Sequence, residues 1–168
     1  MTNLFGIVGW SGSGKTDLVC RLINFYNKNS IVVSSIKHTH HKFEVDKKGK
    51  DSSRHIQSGS NEVLLYGGKK WAIISKLQKK EVGIEDILNK FQPETKLILV
   101  EGLKYGDFPK IEVIRSKLNK PHLFKKDSNI KAIVCDKKIK DLQGLNIPCF
   151  SFKETNIIAD FIINFLKL

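Results

Sequence analysis

The sequence predicts an α/β protein: a mostly parallel sheet flanked by helices, with an antiparallel hairpin at its edge. Three observations carry this expectation. Short apolar or β-branched runs alternate with segments of helical period, as in parallel sheets covered on both faces. The first run leads through a glycine-rich turn directly into a helix. One stretch, "NEVLLYGGKKWAIIS", breaks the alternation and reads as two strands turning at "GGKK".

Taken in order, "NLFGIV" (3–8) is a short buried strand. "TDLVCRLINFYNK" (16–28) is a helix whose stripe carries Leu18, Val19, Leu22, Ile23 and Tyr26. "SIVVSSI" (30–36) is β-branched and forms a second strand. Residues 37–75 fit the alternation less well and contain the hairpin. "GIEDILNKF" (83–91) places Ile84, Ile87, Leu88 and Phe91 at helical spacing. "KLILVEG" (96–102) is an apolar strand ending in an acid, and "IEVIR" (111–115), "IKAIVCD" (130–136) and "IPCFSF" (147–152) are further strands. The last segment sets Ile157, Ile158, Phe161, Ile162, Phe165 and Leu166 on one helical face.

A chain of 168 residues with no repeat or linker-like tract is expected to form a single domain over 1–168. No apolar run approaches the roughly 20 residues that span a bilayer. The start "MTNLFGIVGW" lacks the basic stretch and cleavage site of a signal peptide, so a cytoplasmic protein without membrane association is expected. Cys20, Cys135 and Cys149 have no CxxC spacing and are expected as small core residues, neither disulfides nor ligands. The net charge of +12 suits a polyanionic partner. Because the lysines are dispersed and not gathered with aromatics, the charge is read as solvated faces that would also favour a phosphorylated substrate, and no nucleic-acid partner is expected.

Gly9-Trp10-Ser11-Gly12-Ser13-Gly14-Lys15-Thr16 matches G-x-x-x-x-G-K-[ST] between a strand and a helix, the context this phosphate-binding loop requires. The sheet is therefore expected to be P-loop NTPase-like. Glycines let successive N–H groups turn toward phosphate oxygens, and the helix that continues through Asp17 directs its positive end at them. Lys15 would reach the β- and γ-phosphates, and Thr16 would offer its hydroxyl to Mg2+. A P-loop also needs an acid at the end of a neighbouring apolar strand. Glu101 supplies it, and Gly102 lets the backbone approach the γ-phosphate. Lys15 and Glu101 are the catalytic candidates.

"KHTHHKFEVDKKGKDSSRH" holds four of the five histidines just after the second strand, where α/β sheets present ligand-contacting loops. Three readings stand in order: Lys37, His38, His40 and Arg54 bind a substrate anion; the segment is an exposed polar hairpin; or His38 and His40 hold a metal. Asp46 and Asp51 are two further carboxylates that would assist magnesium.

Together "GWSGSGKTDL", "IKHTHHKFEVDKKGKDSSRHIQSGS", "LILVEGLK" with "PKIEVIR", and "LNIPCFSF…IADFI" make the chain resemble the MobB family, the molybdopterin-guanine dinucleotide biosynthesis adaptor proteins. The resemblance implies a dimeric GTP-binding protein that assists the guanylyltransferase attaching GMP to molybdopterin. Its implied partners are that transferase, MobA, and the molybdenum-inserting enzyme MoeA. Carried onto this chain, the family pattern implies nucleotide contacts at Gly12, Gly14, Lys15, Thr16, Glu101 and Gly102; Gly9, Ser11, Ser13 and Asp17 of the same loop and helix start are further nucleotide-binding candidates. The pattern also implies a second surface at Lys37, His38, His40, Asp46, Asp51, Ser52 and Arg54. Two features depart from it. Lys96 stands where family strands often begin with Asp, and no N-K-x-D guanine reader is present, leaving Asp136 in "CDKK" as the base-contact candidate.

The expected activity is at most slow GTP hydrolysis, since no water-positioning Gln follows "VEG" and no arginine is placed as a finger. Two rivals belong to other classes. A metallochaperone GTPase would deliver nickel or zinc through "KHTHH". A small-molecule P-loop kinase would grip its acceptor with Arg54 and Arg115, although the chain lacks an arginine-rich lid.

Overall fold

The computed structural model describes residues 3–39, 49–77, 82–137, 139 and 146–168. The chain divides into two compact units, residues 1–39 with 91–168 and residues 40–90.

The first unit is built on a six-stranded sheet. Its strands are β1 (Asn3–Val8), β2 (Val33–Lys37), β5 (Leu97–Glu101), β6 (Lys110–Ile114), β7 (Ile130–Cys135) and β8 (Cys149–Ser151), in the spatial order β2-β5-β1-β6-β7-β8. Every pairing is parallel. The central strands are apolar because each has neighbours on both sides and cover on both faces; β5 is buried along its whole length. From β1 the chain crosses to β2 on one side, and later to β6 on the other. The point where that order reverses is the C-terminal end of β1, where α/β sheets place ligands.

Alternation along the strands divides the core in two. Phe5, Ile7, Leu97, Leu99, Ile111, Val113, Ala132 and Val134 face one way and pack with α1 (Lys15–Lys28) and α4 (Thr155–Leu166). The stripe expected on α1 is the buried one, with Leu18, Val19, Leu22 and Tyr26 inside. The Tyr26 hydroxyl donates to Ala159 O at 3.1 Å, tying the two helices together, and burial raises its pKa. On α4 the buried residues are Ile158, Ala159 and Ile162. Ile157, expected on that face, is instead exposed, because its neighbour Ile158 points at the sheet and the side chains at successive helical positions diverge.

The opposite face of β1, β6 and β7 is covered by loops, including a single 3-10 turn at Leu123–Lys125 that lowers Phe124 onto Val8, Ile130, Ile133 and Cys135. Loops bring backbone polar groups that need partners, and two buried charges from β6 supply them. Glu112 accepts from the backbone N–H of Leu123 and Phe124, both at 2.8 Å. Burial pushes its pKa up, while those two N–H groups and His122 act against the rise. Lys110 donates to Lys104 O at 2.9 Å, to Gly106 O at 2.7 Å and to the Asp127 carboxylate. The loop that follows Glu101 is thereby pinned beneath the sheet.

The second unit holds α2 (Asp51–Gln57), β3 (Glu62–Gly67), β4 (Lys70–Ser75) and α3 (Ile84–Leu88). The antiparallel hairpin is present, and its strands pair with each other in a two-stranded sheet of their own. The short α3 is closed by the Asp86 carboxylate accepting from Gly83 N at 3.2 Å. The helix α2 was not expected, since it carries only one apolar residue, Ile56, and so no apolar period.

The cysteines depart in part from the core expectation. Cys135 is buried, whereas Cys20 and Cys149 are exposed. The Cys135 and Cys149 sulfurs lie 2.9 Å apart on neighbouring strands, and burial followed by the Cys149 contact pushes the Cys135 thiol up to about 12. No helix among the described residues is long and apolar enough to cross a membrane.

Lys110→Met would leave the Asp127 carboxylate and two loop carbonyls without their donor. We expect a loss of about 3 kcal/mol in urea denaturation; an unchanged midpoint would mean that these groups find other partners.

Candidate functional site

At the end of β1 the backbone turns through three glycines of positive φ: Gly9 at 146°, Gly12 at 77° and Gly14 at 98°. At Gly9 a Cβ would stand 2.4 Å from Val113 O and 2.8 Å from Ser13 Oγ, so no other residue fits. The loop is braced by Ser13 N donating to Trp10 O at 3.1 Å, and α1 starts at Lys15 with Leu18 N donating to Gly14 O at 3.1 Å. Ser13 is buried, and its Oγ has no hydrogen-bond partner among the described residues. Glycine-permitted turns, a helix start and an unsatisfied buried hydroxyl give this turn the polarity an anion needs.

Lys15 lies over this turn, its Nζ donating to Trp10 O at 2.9 Å. Burial draws its pKa below 10.5; Glu101 opposes that shift, whereas Lys104 and Lys37 add to it. An arriving polyanion would compensate the crowding of positive charge. Trp10 is itself held on two sides: its Nε1 donates to Pro121 O at 2.7 Å, and the Lys104 ammonium sits 3.9 Å from the ring centroid.

Beside the turn lies a three-residue corner. The register of β5 places Glu101 opposite Ile7 of β1 and opposite Lys37 of β2. The Thr16 hydroxyl donates to Glu101 Oε1 at 2.7 Å. Lys37 Nζ donates to the same oxygen at 3.1 Å and to Thr16 Oγ1 at 3.3 Å. Glu101 is only 8% exposed, so its charge is felt at short range. Directly after it, Gly102 has φ 95° and would bring a Cβ to 3.0 Å from His38 O.

The remaining predicted residues are distributed as follows. Ser11 and Gly12 are exposed on the loop, and the Asp17 carboxylate faces away to Arg21 at 3.0 Å. His38 contributes its backbone N–H to Glu101 O at 2.9 Å. Asp136 accepts from Ser116 N at 2.9 Å and Ser116 Oγ at 3.2 Å, and the first of these bonds is the main cause of its lowered pKa. Both its oxygens thus already serve the turn after β6. Asp51 and Arg54 are exposed on α2 of the second unit, while His40 and Asp46 lie outside the described residues.

The family model for molybdopterin guanine dinucleotide synthesis protein B, MobB, matches residues 4–136. The chain belongs to the MobB family.

Among relatives, it is 38% identical over 164 residues to the molybdopterin-guanine dinucleotide biosynthesis adapter protein of Haemophilus influenzae, covering 97% of this chain and 89% of that one. To the Escherichia coli adapter protein of the same name it is 28% identical, covering 99% and 95%. A crystal structure of molybdopterin-guanine biosynthesis protein B aligns with a TM-score of 0.75 at 25% identity, covering 98% of this chain and 99% of the other. The MobB homologue from Bacillus stearothermophilus aligns at 0.74 and 22% identity, covering 99% of each, and shows the shared fold.

Within this MobB chain, sequence reasoning overlooked Lys110 and Glu112, whose signal was two charges on one face of an otherwise apolar strand. The Arg115 guanidinium, which the kinase alternative uses to grip an acceptor, lies 3.6 Å from the Phe152 ring centroid beside Gly14.

Gly102→Ala would force a left-handed backbone onto alanine and crowd His38 O. We expect a loss of roughly 1–2 kcal/mol in thermal or urea unfolding, with the Thr16–Glu101 contact disturbed; wild-type stability would show that the strand end relaxes freely.

Proposed function

We propose that this MobB-family chain is a GTP-binding adapter of molybdopterin-guanine dinucleotide biosynthesis. The observation that carries this reading is the hydrogen bond from Thr16, the last residue of the phosphate-loop motif, to Glu101 at the end of the adjacent strand. It joins the two elements that Mg2+–nucleotide binding needs. In this reading the N–H groups of the loop hold the phosphates and Lys15 turns from Trp10 O to the β- and γ-phosphates. Thr16 would ligate Mg2+, and Glu101, accepting from the Thr16 hydroxyl, would support the metal's water shell; the ion's chemistry there would be to offset phosphate charge. The corner has the oxygen donors that magnesium prefers. Turnover is slow, because nothing described around the corner serves to position an attacking water.

The adapter role in molybdopterin-guanine dinucleotide biosynthesis is supported by the names of the relatives; MobA, MoeA and molybdopterin as partners, in the cytoplasm, are what the family resemblance implies, and the net charge of +12 suits a phosphorylated partner. Arg54, exposed on α2, is a candidate contact for the phosphate of the pterin. A homodimer is supported by the hairpin: the register pairs Leu64 with Ile73 and Tyr66 with Trp71, so all four lie on one face, and they are 56%, 41%, 86% and 60% exposed. Such a patch is unusual on a monomer.

Two outcomes are expected. In cofactor guanylation reconstituted with the transferase, Lys15→Ala removes the stimulation by this protein while its melting temperature stays near wild type; full stimulation by the variant would overturn the nucleotide reading. In light scattering, Tyr66→Glu with Trp71→Glu gives a monomer; an unchanged mass would place the dimer contact elsewhere or show that the wild type is monomeric.

A further inference from the structure

We propose that Lys37 is an internal competitor for the metal: its ammonium takes the position Mg2+ must enter, so nucleotide docks first on a metal-free site and the ion binds only as Lys37 swings out. This rests on the reading of the phosphate loop as a Mg2+–nucleotide site.

The argument begins with lone pairs. Thr16 Oγ1 donates its hydrogen to Glu101 Oε1 at 2.7 Å, which leaves its oxygen lone pairs for a cation. Lys37 Nζ donates to that same oxygen at 3.3 Å and to Glu101 Oε1 at 3.1 Å. A magnesium ion requires ligand oxygens at about 2.0–2.1 Å in near-octahedral order. An ammonium held on those oxygens blocks both the direct ligand and the place of the water shell, and its charge repels the ion. One carboxylate cannot neutralise both. Lys15, on which both Glu101 and Lys37 act, adds a further positive charge beside the corner and does not relieve the competition.

The backbone makes the arrangement reproducible and the side chain makes it reversible. Lys37 pairs with Glu101 in the β2–β5 register, so its Cα is fixed by the sheet. Its side chain, however, is 64% exposed, against 10% for Glu101, and can leave the corner without disturbing the core. A lysine suits this role because its ammonium is a compact point charge on a flexible stem, closer to a small cation than a planar guanidinium is. Once displaced, the ammonium stays within reach of the phosphate loop.

The test uses the full chain with saturating GTP, titrated with Mn2+ as a paramagnetic substitute for Mg2+ and followed by electron paramagnetic resonance of the free ion. Lys37→Met removes the ammonium and nearly keeps the length. We expect the Mn2+ half-saturation concentration to fall about tenfold, the equivalent of one charge-assisted hydrogen bond, while metal-free GTP affinity weakens. Lys104→Met removes a charge near Lys15 that does not touch the corner, and should shift Mn2+ binding far less. An unchanged or weaker Mn2+ affinity in Lys37→Met, or an equal shift in Lys104→Met, would overturn the competitor role. Absence of GTP binding to the wild type would instead overturn the nucleotide reading and this inference with it.

Discussion

The structure depends on β1 being clamped in register between two parallel strands. Pairing Ile7 with Glu101 on one side and Val8 with Glu112 on the other brings the two neighbours to the same level where β1 ends. That single alignment places one acid beside Thr16 and the other beneath the loops. A slip of one residue would turn every side chain of β5 to the other face, burying Val100 where Glu101 belongs. The apolar composition of β5 makes such a slip costly, since all five of its residues are buried.

The consequences spread from the two acids in different directions. Glu101 gathers Thr16 and Lys37 into one corner beside the glycine-rich loop. Glu112 and its neighbour Lys110 point to the loop-covered face and fix the loops after β5 and β6. One of those loops carries Lys104, whose ammonium lies on Trp10, so the packing on the loop-covered face is linked to the posture of the glycine-rich loop at the end of β1. Neither buried charge is a site residue, yet both keep the site's loops in place.

What was legible in the sequence follows from how local the signal is. The glycine-rich loop, its strand and its helix are encoded in adjacent residues, and the burial of Leu18, Val19, Leu22 and Tyr26 follows directly from their spacing. Glu101 was legible because an apolar strand ending in acid-glycine has a mechanical meaning beside such a loop. The pairing of Lys37 with Glu101 was not, because it depends on β2 and β5 being neighbours although 64 residues separate the partners. The sequence places Lys37 after a strand, where an anion could meet it, but does not show that its ammonium rests on a carboxylate and a hydroxyl. Helix α2 was missed because it is short and lacks an apolar period, and Ile157 was misplaced because consecutive isoleucines left the position of the α4 stripe ambiguous.

The proposed binding of a guanine nucleotide is checked by calorimetric titration of the wild-type chain with GTP and with ATP, each with and without Mg2+. One GTP per chain, tighter binding with Mg2+ than without, and weaker binding of ATP are expected. Absence of heat with either nucleotide would contradict the phosphate-cradle assignment, and preference for ATP would contradict the guanine reading.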